Sequence, residues 1–210
     1  MKGIIIFTDI VNSSILWNKY QLLFLKIIKK INNLINKIVK EKGGIVIKTI
    51  GDSSMIYFNK KKRINSLEFI LNLIENFKEK PFIINNEKIL IRIGCSYGDI
   101  QKTKEKIQNC DVLDYYGENV NIASRMESKI SIPGGFAIHN FSYENFKDKL
   151  PKKFKIFIKK NFKIKNIKFK NLILKKNLFK RSGKMKTSFK HQLNKYNIIN
   201  LKSVVNFIPN

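Results

Sequence analysis

Acidic side chains are scarce in this chain, 15 Asp and Glu against 42 Lys and Arg, so the place of each one is informative. Asp9 follows the apolar run from Gly3 to Thr8. Asp52 sits in the turn Gly51-Asp52-Ser53, between the apolar runs Ile45 to Ile50 and Met55 to Phe58. In a βαββ unit the first strand lies beside the following hairpin, which would bring both carboxylates to one end of a sheet. Two hard oxygen ligands at one point suit Mg²⁺, which keeps several waters and takes substrate phosphates for its other positions. Taken singly, either residue reads more readily as a loop aspartate capping a helix or turn.

A second polar cluster runs from Asp114 to Arg125, in Asp114-Tyr115-Tyr116-Gly117-Glu118-Asn119-Val120-Asn121-Ile122-Ala123-Ser124-Arg125. Asn121 and Arg125 are four apart and so share one face of a helix, while Val120 and Ala123 can face a core. An Asn beside an Arg makes a polar clamp for an anion or a sugar edge. The solvated face of a surface helix would carry the same spacing.

The elements that must hold these residues follow from periodicity. Leu16, Tyr20, Leu23, Ile27, Ile31, Leu34 and Ile38 recur every three or four residues as one long amphipathic helix, which Gly43-Gly44 ends. Asn65 with Glu68 resembles a capping box opening a helix on Leu67, Ile70, Ile74 and Phe77, closed by Pro81. Ile89, Ile91, Ile93 and Cys95 alternate as a half-buried strand. Gly117 to Ser128 reads as a short helix and Phe136 to His139 as a strand. The order strand, helix, strand, strand, helix, strand predicts an α+β fold, an antiparallel sheet with helices on one face. From Lys152 to Leu174 apolar and lysine residues alternate, which predicts a terminal hairpin. Residues 181–210 are expected to be a loosely attached basic tail.

The ordered set of motifs is more specific than any one of them. Phe7-Thr8-Asp9-Ile10, Gly44-x3-Lys48-x2-Gly51-Asp52, Ile93-Gly94-x3-Gly98-Asp99, Asp114-x2-Gly117-x2-Val120-Asn121-x-Ala123-x-Arg125 and Pro133-Gly134-Gly135 together resemble the class III nucleotidyl cyclase catalytic domain, the adenylate and guanylate cyclase family. The likeness is good over residues 3–140 and poor over 141–180. It implies a ferredoxin-like βαββαβ core with a mainly antiparallel sheet, a catalytic domain over 1–180 and the tail beyond it.

The resemblance also implies roles. Asp9 and Asp52 would bind metal, with the Ile10 carbonyl as a further ligand, and the cofactor would be Mg²⁺ or Mn²⁺, two per active site. Lys48 and Asp114 match the pair that reads the base. Asn121 would orient the ribose, and Arg125 would stabilise charge on the α-phosphate. Lys165 is the nearest match to a phosphate-binding lysine, although Asn166 stands where the family has Gly. The backbone amides of Val11 to Ser14 could cradle the polyphosphate. Because the family draws its metal aspartates from one subunit and the Lys, Asp, Asn and Arg from the other, the resemblance implies a head-to-tail homodimer. Two stretches depart from the family: Val11-Asn12-Ser13-Ser14, and Gln101 to Asp111, which lacks the usual second glycine-rich strand.

Donor polarity then bears on the base. Lys donates and an ionised Asp accepts. Adenine offers an N1 acceptor beside an N6 donor and fits Lys48 with Asp114, whereas guanine and uracil present the reverse. Cytosine shares adenine's polarity, so the argument selects ATP or CTP, with ATP favoured. Three functions stay open: a soluble adenylate cyclase forming 3′,5′-cyclic AMP and pyrophosphate; a cyclase of another base, including the pyrimidine cyclases of phage defence that make cyclic CMP or UMP; and a silent cyclase-like domain that binds nucleic acid through residues 152–202.

Composition narrows the setting. The net charge of +27 is uneven: residues 141–210 carry 20 basic and 2 acidic side chains, residues 1–140 carry 22 and 13. That asymmetry would suit an anionic partner. A bias toward Lys, Asn and Ile, all with codons rich in A and T, explains most of the excess more simply. The cations are mostly Lys rather than Arg, which disfavours base and phosphate recognition, so nucleic acid is not the expected partner. No apolar run approaches the ~18 residues of a membrane span, and no signal peptide is visible. Cys95 and Cys110 are too few for a disulfide scaffold and lack metal-site spacing. The expected location is cytoplasmic, with no sensory module ahead of the first strand.

Overall fold

The computed structural model describes residues 1–107, 110–139, 143, 147–168 and 203–210. Strand β1 (Lys2–Ile10) leads to helix α1 (Ser13–Glu41), the hairpin β2 (Ile45–Ile50) and β3 (Ser53–Asn59), and helix α2 (Arg63–Glu79). A short ribbon, β4 (Ile83–Ile84) and β5 (Glu87–Lys88), precedes β6 (Ile91–Asp99). A second hairpin follows, β7 (Gln101–Ile107) and β8 (Cys110–Tyr116), then α3 (Glu118–Lys129) and β9 (Phe136–His139). The remaining elements are α4 (Lys152–Asn161), β10 (Phe162–Lys168) and β11 (Ser203–Pro209). Seven strands form one sheet in the order β10-β11-β9-β6-β1-β3-β2. Its one parallel pairing is β6 with β9; the rest are antiparallel. The expected α+β core with a mainly antiparallel sheet is what the chain forms.

β1 is buried on both faces, which is why it reads as an unbroken apolar run. Ile4 and Ile6 pack with Phe24, Ile31 and Ile35 of α1 and with Phe69, Ile70 and Leu73 of α2. Ile5 faces the other way, onto Met55, Tyr57, Tyr115 and Ala123. Each such isoleucine contributes on the order of 1.5–3 kcal/mol by leaving water. Helices therefore lie on both faces, a correction to the expected one: α1, α2 and α4 on one, α3 and the β7–β8 hairpin on the other. Gly94 makes the second layer possible, because a Cβ there would sit 2.2 Å from the Glu127 N and 2.3 Å from the Ala123 O. Only a bare backbone lets α3 lie this close to β6.

Three local expectations fail for identifiable reasons. Asn65 and Glu68 are not a capping box: α2 begins at Arg63 after a 3₁₀ turn, Lys60–Lys62, capped by Asn59 accepting from the Lys61 N–H at 3.0 Å. Glu68 instead receives Lys42 Nζ at 2.7 Å and ties α2 to the end of α1. Lys152–Asn161 is a helix rather than the first strand of a hairpin. Phe154 and Ile158, one turn apart, are buried, while Ile156 between them is 56% exposed, so the apparent alternation was half of a helical period. Finally, Ser203–Pro209 is no loose tail. It forms β11 between β10 and β9, with Val205 and Phe207 buried and Phe207 stacked on Phe136 at 4.0 Å between ring centroids. Residues 169–202, which include the rest of the expected hairpin and tail, lie outside the described residues. Among the described residues no helix is long and apolar enough to cross a membrane.

Candidate active site

The alternation that buries Ile5 on the α3 side of the sheet also puts Phe7 and Asp9 there, so the β1 strand delivers its carboxylate at its end. Asp52 arrives from the two-residue turn between β2 and β3, where Gly51 takes the left-handed φ of 62°. Its Oδ2 accepts from the Ile10 N–H at 3.2 Å, which fixes the turn against the end of β1. The two aspartates are thus brought together, and the Ile10 backbone with them.

Two further residues of this cluster escaped the sequence reading. Arg92 on β6 is the direct cross-strand partner of Asp9, and its Nη2 donates to Asp9 Oδ2 at 2.7 Å. The Nε of the same guanidinium lies 3.3 Å from Oε1 of Glu127 on α3. The signal was faint: in Ile91-Arg92-Ile93-Gly94 the isoleucines face the core, so Arg92 must face α3. Nothing in the chain order links it to Glu127, 35 positions on.

Three carboxylates around one arginine leave an excess of negative charge in a chain that is otherwise strongly basic. Burial raises the Asp9 carboxyl, the Arg92 hydrogen bond opposes it, and the neighbouring Asp52 charge adds to the rise, leaving Asp9 above the ordinary carboxylate range. Burial, then the Asp9 charge, push Glu127 up from 4.5 to about 7 against the pull of Arg92. A carboxyl raised on folding holds its proton better in the folded state, so its contribution is intact below the unfolded value and lost as pH climbs toward the folded one. Metal-free protein is therefore expected to lose stability between pH ~4.5 and ~7, and Glu127→Gln to flatten that slope, read as melting temperature against pH for both chains in chelator.

A cation would relieve this charge excess, so the donor set fits a divalent metal. Asp9 and Asp52 would hold it with the Ile10 carbonyl, leaving other positions to water and phosphate. Among the described residues no group of three or more His, Cys, Asp or Glu is arranged to hold an ion alone.

The base-reading candidates also meet. Lys48 Nζ stands 2.5 Å from Asp114 Oδ2, joining β2 to β8 across 66 positions of sequence. A bulge between Val46 and Lys48 resets the β2 register at this point. Asp114 Oδ1 accepts the Tyr115 N–H at 2.8 Å. Burial would raise the Asp114 carboxyl, but the hydrogen bonds from Lys48, Tyr115 and Tyr116 outweigh it and hold the group below its ordinary range. Asp114 is an ionised acceptor. Tyr115 stacks on Tyr57 with centroids 4.6 Å apart, anchoring β8 against β3.

Asn121 and Arg125 share the exposed side of α3, as their spacing predicts. Asn119 sets the start of this helix, accepting from Ser96 Oγ at 3.0 Å and donating to the Asp99 carbonyl at 2.8 Å. At α1, the Val11 N–H is taken by the Leu90 carbonyl at 2.9 Å, so the expected cradle of amides shrinks to those following it. Asn12 there adopts a left-handed φ of 57° and α1 opens at Ser13, whose first-turn N–H groups have no partner within the helix. Lys165 is exposed on β10, with β11, β9 and β6 between it and β1, so one chain does not bring it to Asp9. A cleft of about 400 Å³ between α1 and α2, lined by Ile27, Leu34 and Phe82 among others, contains none of these residues.

The comparisons with known proteins give the family and the fold. The chain is 28% identical to adenylate cyclase of Schizosaccharomyces pombe over 145 residues, 60% of this chain and 8% of that protein. It is 26% identical to adenylate cyclase of Neurospora crassa over 140 residues, 59% of this chain and 6% of the relative. The chain thus spans under a tenth of the length of these curated relatives. Among solved structures, the catalytic core of a rhodopsin-guanylyl cyclase with converted specificity, in complex with ATPαS, superposes with a TM-score of 0.68 at 21% identity, covering 100% of this chain and 96% of that one. The adenylyl cyclase CyaB from P. aeruginosa gives 0.64 at 18% identity, covering 99% and 93%. These structures share the fold. The model of the adenylate and guanylate cyclase catalytic domain matches residues 3–194, and with that span the chain belongs to this family.

Proposed function

We propose that the chain is an adenylate cyclase that converts ATP to 3′,5′-cyclic AMP and pyrophosphate in a site shared by two copies. The observation that carries the choice of base is the Lys48–Asp114 pair, a donor 2.5 Å from an ionised acceptor. Opened by a ligand, it matches the N1 acceptor and N6 donor of adenine and mismatches guanine. Support for the reaction comes from the family and from the paired aspartates.

In this reading the ribose 3′-hydroxyl gives its proton to water, its O3′ forms a bond to the α-phosphorus, the bond from that phosphorus to the bridging oxygen of the β-phosphate breaks, and pyrophosphate leaves with its electron pair. Mg²⁺ or Mn²⁺, two per site as in the two-metal scheme, would acidify the hydroxyl and neutralise the leaving phosphates. Asp9, Asp52 and the Ile10 carbonyl hold that charge in place. Asn121 orients the ribose, and Arg125 meets the charge growing on the non-bridging α-phosphate oxygens. The N–H groups at the start of α1 and Lys165 lie against the leaving phosphates. Asn121, Arg125 and Lys165 act on the substrate held by the partner's aspartates, which gives their exposure on a single chain a purpose.

The test is incubation with ATP, GTP, CTP and UTP separately, with Mg²⁺ or Mn²⁺, and mass spectrometry of the products. Cyclic AMP is the expected product. Cyclic CMP in its place would keep the mechanism and overturn the base assignment. In the double variant Lys48→Glu with Asp114→Cys the preference is expected to move toward GTP by ~10-fold or more, since a mismatched buried donor or acceptor costs ~1–3 kcal/mol. Unchanged ATP turnover without GTP turnover would refute the role of the pair.

A further inference from the structure

We infer that the interrupted first part of α1 is a surface that docks on an anionic phospholipid membrane, with Trp17, Leu22 and Leu23 entering the interface and Lys26, Lys29 and Lys30 facing the headgroups. The helix breaks at Gln21, whose φ of 38° and ψ of −110° lie outside the helical region. The break resets which residues meet the core: Leu16 is buried before it, and Phe24, Ile27, Ile28 and Ile31 after it. Leu22 and Leu23 are left to solvent, 71% and 47% exposed, and Trp17 one turn earlier than Gln21 is 46% exposed. Ile15 is exposed as well, so four of the thirteen large apolar side chains exposed among the described residues fall between positions 15 and 23. Apolar residues scattered singly over a surface are ordinary, whereas a concentration of them marks a contact.

The charge around these residues favours one occupant. From Ile10 to Lys40 the chain has no acidic side chain, while Lys19, Lys26, Lys29, Lys30, Lys37 and Lys40 are all exposed. Leu22, Lys26 and Lys29 stand at spacings of four and three and share one side of the helix, with Leu23 and Lys30 beside them. Lys19 is paired with Glu87 at 2.9 Å, but the ion pairs among the described residues do not take up Lys26, Lys29 or Lys30. A second copy fits poorly, because a two-fold contact would set these lysines against their own counterparts with no carboxylate on the same stretch to pair them. A nucleic acid would use the lysines and leave the tryptophan and leucines wet. An anionic bilayer uses both sets. Its negative surface potential draws lysines, and Trp and Leu settle at the headgroup boundary. None of these residues is among those assigned to the reaction.

Trp17 is the only tryptophan in the chain, so its fluorescence reports on this surface alone. The full chain is mixed with vesicles of phosphatidylcholine, or of equal parts phosphatidylcholine and phosphatidylserine, and both co-sedimentation and Trp17 emission are read. With the anionic vesicles the emission is expected to move to the blue and to be quenched by lipids brominated on the acyl chain. Binding to the neutral vesicles is expected to be at least ~10-fold weaker. The double variant Leu22→Ser with Leu23→Ser keeps every charge and is expected to bind the anionic vesicles ~10-fold more weakly or worse, with circular dichroism checking that it folds. Absence of binding to the anionic vesicles would overturn the inference. So would co-sedimentation with unchanged Trp17 emission, which is adsorption by charge alone, or equal binding by the folded double variant. A blue shift that grows with protein concentration in the absence of vesicles would give the surface to a second copy and overturn it too.

Discussion

Asp52→Asn is expected to lower cyclic nucleotide formation by ~10³-fold or more, and Asp9→Asn to do the same, while melting in chelator moves by no more than a few degrees. The substitution is nearly isosteric. In Asp52→Asn the side-chain amide would keep an oxygen to accept the Ile10 N–H that Asp52 Oδ2 now accepts at 3.2 Å, so the turn should survive and the loss be attributable to charge. For Asp9 the argument is similar, since an amide oxygen can still take the Arg92 proton now given at 2.7 Å. What each variant loses is one of the two carboxylates that meet where β1 ends beside the β2–β3 turn. With one carboxylate and the Ile10 carbonyl left, a divalent cation would be held too weakly and too loosely for the reaction. Steady-state rates with Mn²⁺ titrated to high concentration provide the measurement. Activity that recovers fully in either variant at ordinary metal concentrations would show that the two carboxylates are loop residues after all.

Arg125→Ala is expected to reduce kcat ~10²–10³-fold with little change in KM, the signature of a donor whose contact strengthens only as charge grows on the α-phosphate. Because Arg125 is exposed on α3, the variant is expected to keep the fold of the parent, which circular dichroism checks. Arg125→Lys should recover part of the loss, since it restores the charge without the planar fork. A variant that raises KM alone would recast Arg125 as a residue that binds the nucleotide uniformly and takes no special part in the chemistry.

How much of this could be read from the chain depended on whether the signal was local. Asp9, Asp52, Lys48, Asp114, Asn121 and Arg125 stand at fixed offsets from glycines and apolar runs, so motif order alone marked them. α1 was legible because an apolar period runs from Leu16 to Ile38, although the helix breaks at Gln21 (φ 38°, ψ −110°) and Phe24 rather than Leu23 takes the buried place after it. α4 was not, because Phe154, Ile156 and Ile158 alternate like a strand while Phe154 and Ile158 also stand one helical turn apart. β11 was hidden by a long gap: its partners on β10 and β9 lie far back in the sequence, and nothing local announces a pairing of that span. The Arg92–Glu127 contact was hidden for the same reason. It exists because Gly94 draws a helix onto a strand, a fact of packing and not of pattern.

The proposed catalytic site joins the aspartates of one chain to the α3 residues of another. The most direct test mixes two dead variants. Asp9→Asn chains and Arg125→Ala chains are assayed alone and after subunit exchange, with ATP and Mg²⁺ or Mn²⁺, and cyclic AMP is quantified by mass spectrometry. Each mixed dimer would carry one site with both lesions and one with neither, so random exchange should restore about a quarter of the parental activity. A mixture as inactive as its components, in a preparation shown to contain mixed dimers, would contradict the shared site.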